Sequence, residues 1–187
     1  MQGTRDRAPS TGDTHRPTCR ASHARIGAHE FARGAGFLVG AAAGLGAVAT
    51  NDDRVRVFPR ASFPNLKVGA QVSRTFAVHV DVPTGVHRRD GALRAFEGDL
   101  LTAQYWVGSG VWMAAGGGAL LDFPVMGTTS GGFHVGPGVA AWVGVDFAQS
   151  RRWVLDLSAR TMVGVVWVGE QRRDGGAVDL LLGATWR

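Results

Sequence analysis

FHVGPGVAAWVGVDF at residues 133–147 and WVLDLSARTMVGVVW at residues 153–167 decide how this chain folds. In the first stretch Phe133, Val135, Pro137, Val139, Ala141, Val143, Val145 and Phe147 share one parity, and His134, Gly136, Gly138, Ala140, Trp142, Gly144 and Asp146 share the other. The second sets Trp153, Leu155, Leu157, Ala159, Thr161, Val163, Val165 and Trp167 against Val154, Asp156, Ser158, Arg160, Met162, Gly164 and Val166. A period of two sends successive side chains to opposite faces, which is strand geometry; a helix would bring its apolar residues together every three or four positions. Pro137 removes a ladder donor and predicts a bulge at that point.

The same spacing extends outward in both directions. Val178, Leu180, Leu182, Ala184 and Trp186 oppose Asp179, Leu181, Gly183 and Thr185; Phe76, Val78, Val80 and Val82 oppose Thr75, Ala77, His79 and Asp81. Leu66, Val68, Ala70 and Val72 oppose Lys67, Gly69, Gln71 and Ser73, while Leu101, Ala103 and Tyr105 oppose Thr102 and Gln104. Residues 111–121 are too rich in Ala and Gly for their faces to be assigned. The run GFLVGAAAGLGAVA at 36–49 alternates as well, and it reads in two ways. It is either a first strand, the favoured reading, or the apolar region of a secretory signal with Arg33 as flank and Ala47-Val48-Ala49 as cleavage site. Eight strands follow if it is a strand.

Which face meets water sets the class. The less apolar parity is built of Gly, Ala, Ser and isolated charges rather than the Lys, Glu and Thr of a solvated sheet, so it suits a tight interior. The apolar parity then faces lipid. Phe133 and Phe147 bracket one strand, and Trp153 and Trp167 the next. Fourteen steps of about 3.3 Å at a tilt of about 40° rise roughly 35 Å, enough to set aromatic girdles on either side of an apolar band. Trp186 is expected at the same interface. The links are expected to alternate in length, as a barrel requires: 50–61, 83–91, 122–131 and 169–176 read as long, and 73–74, 108–110 and 148–150 as short. The long ones carry Asp52, Asp53, Arg54, Arg88, Arg89, Asp90, Arg172, Arg173 and Asp174.

With LTAQYWVGSGVWMAAGGGAL at 101–120 and the closing LLLGATW at 180–186, the chain resembles the small outer-membrane β-barrels of the OmpA/OmpX-like kind from about Gly34 to Arg187. The resemblance implies an all-β, eight-stranded, antiparallel up-and-down transmembrane barrel at residues 35–187, an outer-membrane location and a lipid bilayer as surroundings. Members of that family usually end on an aromatic residue; here Trp186 fits, and Arg187 follows it.

Composition agrees with a membrane barrel. Among 187 residues there are 28 glycines and only 19% charged side chains, against roughly 25% charged in an ordinary soluble domain. No run reaches the ~20 uncharged apolar residues of a membrane-spanning helix. The net charge of +5 is mostly a property of residues 1–34, where six arginines face Asp6, Asp13 and Glu30. That segment lacks apolar periodicity and reads as a disordered basic tail or misassigned leader. Nucleic-acid binding is not expected, since no basic patch interleaved with aromatics occurs in the remainder. Cys19 stands alone, and no Cys/His spacing suits a metal. No cofactor is expected.

A barrel of eight strands is filled by side chains. The residues expected inside are Lys67, Gln71, His79, Asp81, Gln104, His134, Asp146, Asp156, Arg160 and Asp179, and the carboxylates should pair with Arg160 and Lys67 as a polar plug. The favoured function is a monomeric structural or surface-interaction protein with no open pore, in which the links, 122–131 above all, meet extracellular partners. One alternative is a soluble lipocalin-like barrel with its apolar parity turned inward around a small apolar ligand. Another is a lipid-modifying enzyme, which some small outer-membrane barrels are. For that activity Ser130, His134 and Asp146 are the nearest candidates, but twelve residues of strand, roughly 40 Å, part His134 from Asp146.

Overall fold

A computed structural model describes residues 35–51, 54–126, 132–168 and 171–187. The alternating segments become eight strands: β1 (Gly36–Asn51), β2 (Val55–Gln71), β3 (Phe76–Arg89), β4 (Ala92–Val107), β5 (Val111–Met126), β6 (His134–Gln149), β7 (Trp153–Val168) and β8 (Gln171–Trp186). Each pairs antiparallel with the next, and β1 pairs with β8 from Val39↔Trp186 to Asn51↔Asp174, so the barrel is closed. Closure leaves no sheet edge, the condition under which strands can cross hydrocarbon. The run at 36–49 is therefore a strand paired on both sides, and the signal-sequence reading of it is corrected.

The faces fall as the alternation requires. Phe37, Leu45, Leu101, Val139, Val163, Leu180 and Leu182 point outward and are exposed, Leu45 by 72%. Gln71, His79, Thr102, Gln104, Arg160 and Asp179 are buried. An exterior this apolar is tolerable only against lipid, and the lipocalin-like alternative, which needs the reverse orientation, is overturned. Residues 111–121 also acquire faces: Val111 and Met113 are outside, and Trp112, Ala114 and Leu120 inside.

Two expectations fail. The links do not alternate in length, because the strands run on through most of what reads as long link. β1 and β2 are separated by residues 52–54, β3 and β4 by Asp90 and Gly91, and β7 and β8 by 169–170; only 127–133 stays long. Asp90 (φ 49°) and Gly91 (φ 81°) both lie in the left-handed region, as a two-residue type I′ hairpin demands, so Asp-Gly is the residue pair that makes this tight turn. Pro137 makes no bulge either. The β6–β7 ladder skips Gly136 and Pro137 and resumes unshifted at Gly138↔Gly164, and Pro137 points outward. Register shifts fall instead at Ala42/Gly44, Ala61/Asn65, Leu93/Arg94 and Asp146/Ala148.

Glycine inside the barrel is matched to large side chains. Leu120 is fully buried and lies over Gly138 and Gly164, where an added Cβ would collide with its branch, and Trp112 covers Gly144 in the same way. Leu120, Leu100, Met162 and Val48, all 0% exposed, form an apolar layer within the lumen. Gly138→Ala should thus overpack this layer and destabilise the barrel by about 1–3 kcal/mol. Urea unfolding in lipid vesicles, followed by tryptophan fluorescence, should show the loss, with partial recovery when Leu120→Ala is added.

Candidate functional site

Among the described residues the strands gather polar chemistry away from water in the lumen, and its centre is Asp179 on β8. Arg160, its cross-strand neighbour on β7, donates to Asp179 Oδ2 from Nε (3.0 Å) and Nη2 (2.6 Å). From β2, Arg60 Nε lies 2.9 Å from Asp179 Oδ1, and all three side chains are essentially solvent-free. The Arg60 guanidinium lies over the Phe96 ring at 5.9 Å, in space that Gly85 leaves open. One carboxylate thus faces two guanidiniums where a single unpaired charge would be costly.

The bulge in β2 makes this possible. Between Ala61 and Asn65 the register against β3 shifts, so inward parity changes from Arg60 and Ser62 to Asn65, Lys67 and Gln71. Asn65 satisfies the polar groups exposed by that irregularity. Its Nδ2 donates to the carbonyls of Ala42 (3.1 Å) and Ser62 (3.1 Å), and its Oδ1 accepts from Thr84 N–H (3.1 Å) and Arg160 Nη1 (2.9 Å). Ser62 Oγ accepts from Arg160 Nη2 at 2.9 Å, and Thr84 Oγ1 donates to Glu97 Oε2 at 2.7 Å. β1, β2, β3, β7 and β8 are tied through one buried cluster.

Two further groups lie above and below it. Toward the 127–133 end, Arg94 Nε donates to Asp122 Oδ1 (2.9 Å) and Arg94 Nη2 to the Gly132 carbonyl (3.3 Å), beside buried His87 and His134. Toward the chain termini, His79 lies between Asp81 (Nδ1 to Oδ2, 2.7 Å) and Gln104 (Nε2 to Oε1, 3.1 Å). Lys67 Nζ sits 5.7 Å from the Trp112 ring, and Trp106 Nε1 donates to Asp146 Oδ2 at 3.1 Å. A cavity of about 40 Å³ is bounded by Lys67, His79, Asp81, Gln104, Asp156 and Arg160.

Of the residues expected inside, Gln71, His79, Gln104, His134, Asp156, Arg160 and Asp179 are buried, and Lys67, Asp81 and Asp146 are half-buried on the inward face. Gln71 is used locally, donating to the Ser73 carbonyl at 3.0 Å. Phe133, Phe147, Trp153, Trp167 and Trp186 are all exposed on the outer wall. For the enzyme alternative, His134 and Asp146 lie toward opposite ends of β6, and Ser130 falls outside the described residues. Among the described residues no three His, Cys, Asp or Glu side chains group as metal ligands. Sequence reasoning missed Arg60, Ser62, Asn65, Thr84, Arg94 and Glu97, and it read Asp122 as loop although it lies in β5 and pairs with Arg94. The available signal was Ser62-Phe63-Pro64-Asn65, a turn-like composition inside a strand, which marks a bulge.

Asp179→Asn preserves shape but removes the charge that both guanidiniums face. Its unfolding midpoint in urea should fall by an amount corresponding to roughly 3–5 kcal/mol, the usual result of leaving buried charge uncompensated. Asp174→Asn, at an exposed pair with Arg172, should change it little.

No protein-family model matches the sequence, and no curated protein does. Among solved structures the barrel is similar to Neisserial surface protein A (NspA), with a TM-score of 0.60 and 17% identity over 82% of this chain and 98% of that one. It is also similar to the outer-membrane protein AlkL, solved by solid-state NMR in DMPC bilayers, with a TM-score of 0.50 and 15% identity over 81% of this chain and 89% of that one. At such identities the likeness is one of fold, and it agrees with the lipid-facing exterior that this chain builds for itself. The chain thus has the closed, eight-stranded antiparallel β-barrel fold of these outer-membrane proteins.

Proposed function

We propose that this barrel is a non-enzymatic structural or surface-interaction protein with a plugged polar lumen and no open pore. The observation that carries the proposal is the Arg60–Asp179–Arg160 cluster, which spans the interior beside the apolar layer of Leu100, Leu120 and Met162. The lumen cavity of about 40 Å³ has room for a few waters, each needing roughly 10–15 Å³, and not for a solute. The ten expected residues, from Lys67 to Asp179, act here with Arg60 and Asn65 as the plug. Phe133, Phe147, Trp153, Trp167 and Trp186 act as interface anchors, and the chain works as a monomer. Partners outside the cell would meet the 127–133 end, the longest link.

Planar-bilayer recording of the refolded chain should show no steady conductance, and a stable open state would overturn the plug. Deleting residues 127–131, rather than 122–131, spares the Arg94–Asp122 pair. That variant should keep the boiling-dependent gel mobility of the folded barrel while losing adhesion of displaying cells to their target surface. Unaltered adhesion would remove this loop from the interaction.

A further inference from the structure

The two ends of the barrel differ in charge. At the 127–133 end arginines and carboxylates are interspersed, as in the Arg56–Asp90 (3.2 Å) and Arg172–Asp174 (3.0 Å) pairs. At the other end, residues 72–75, 108–110 and 150–152 together with Arg187 include four arginines and no Asp or Glu. Asp146 is turned inward against Trp106 and Gln149 and pairs with Arg187 (3.9 Å), so it leaves Arg74, Arg151 and Arg152 as the exposed cations of this end.

Local geometry pushes three of these arginines out. Ser150 N–H donates to the Trp153 carbonyl at 2.8 Å, and Ser150 Oγ accepts from the N–H groups of Arg152 (3.3 Å) and Trp153 (3.1 Å). Arg151 is left at the tip of a rigid turn. Ser73 repeats the device across the barrel: its N–H donates to the Phe76 carbonyl at 3.1 Å and its Oγ accepts Thr75 N–H at 3.3 Å, with Arg74 at the tip. Arg74, Arg151 and Arg152 are all exposed. The Arg187 N–H donates to the Arg152 carbonyl at 2.8 Å, and directly beside this contact Trp153 pairs across strands with Trp186, both rings facing outward at the edge of the apolar wall.

We propose that Arg151 and Arg152, with the Trp153–Trp186 pair, form a docking surface for the headgroup of an anionic phospholipid in the periplasmic leaflet, with Arg74 a second contact across the barrel. A guanidinium presents a planar fork of donors that matches phosphate oxygens. Indole rings settle at headgroup depth, apolar face to the acyl chains and N–H to water. A zwitterionic headgroup brings its own cation to this patch, so the lipid favoured is one of net negative charge. The end at which β1 begins and β8 ends is the periplasmic one in such barrels. The proposal rests on that membrane placement; loss of the placement would appear separately, as folding in plain buffer.

The test is native mass spectrometry of the full chain released from micelles containing equal phosphatidylglycerol and phosphatidylethanolamine. Wild type should retain phosphatidylglycerol about fivefold over phosphatidylethanolamine, the preference expected from one arginine near an anionic surface, and high salt should weaken it. Arg151→Gln/Arg152→Gln should bring the ratio near one with the boiling-dependent gel shift intact. Arg88→Gln/Arg172→Gln at the opposite rim should leave it unchanged. If the glutamine variant does not fold, Arg151→Lys/Arg152→Lys, which keeps the charge and loses the planar fork, should retain a weakened preference. Equal retention of both lipids by wild type, or an undiminished preference in the glutamine variant, would overturn the proposal. So would sedimentation with purified peptidoglycan that depends on Arg151 and Arg152 while no lipid preference is seen, which would assign the patch to the cell wall.

Discussion

Asp179 is the group on which the interior depends. Its carboxylate lies between Arg60 and Arg160 with all three side chains shut off from bulk solvent, so each charge is tolerable only because the others are placed. This constrains three strands at once. β8 must present Asp179 beside Arg160 of β7, and β2, one strand beyond β1, must hold the register that turns Arg60 inward. The Asn65 amide takes up the backbone and guanidinium groups that the resulting bulge would strand, which makes the irregularity in β2 a requirement of the plug.

The exterior follows a simpler rule. Lipid offers nothing to hydrogen-bond, so the wall must be apolar and the ladder closed, and the outward parity is apolar along most of each strand, with exposed Asp99 on β4 and Arg88 on β3 as exceptions. Glycine on the inward parity then does the geometric work. Where Leu120 or Trp112 needs volume, nearby strands place Gly138, Gly164 and Gly144, so a narrow barrel fills. The polar clusters and the apolar layer share that limited volume, which is why so little of it remains as cavity.

The membrane-spanning halves of the strands were legible because alternation there is uninterrupted: reading from Trp153 to Trp167 places Asp156 and Arg160 inside with no further information. The 127–133 end was harder to read. Charged segments such as Arg88-Arg89-Asp90 resemble loops when judged by composition, yet they are strand ends that run on to an Asp-Gly hairpin, a signal present in the sequence and outweighed by its polarity. Arg60 and Ser62 were lost for a different reason. Carrying the parity of Lys67 back along β2 puts both on the outer face, and only the shift before Asn65 returns them to the lumen.

The amino-acid sequence by itself determined that the chain forms strands, which parity is apolar, and that this parity must face lipid, because a period of two and the hydrophobic effect act on neighbours along the chain. It did not determine which charges meet. Pairing Asp179 with Arg60, more than a hundred positions away, depends on closure of β8 against β1 and on a one-residue change of register in β2, and both are set by how the backbone satisfies its hydrogen bonds around a closed ring.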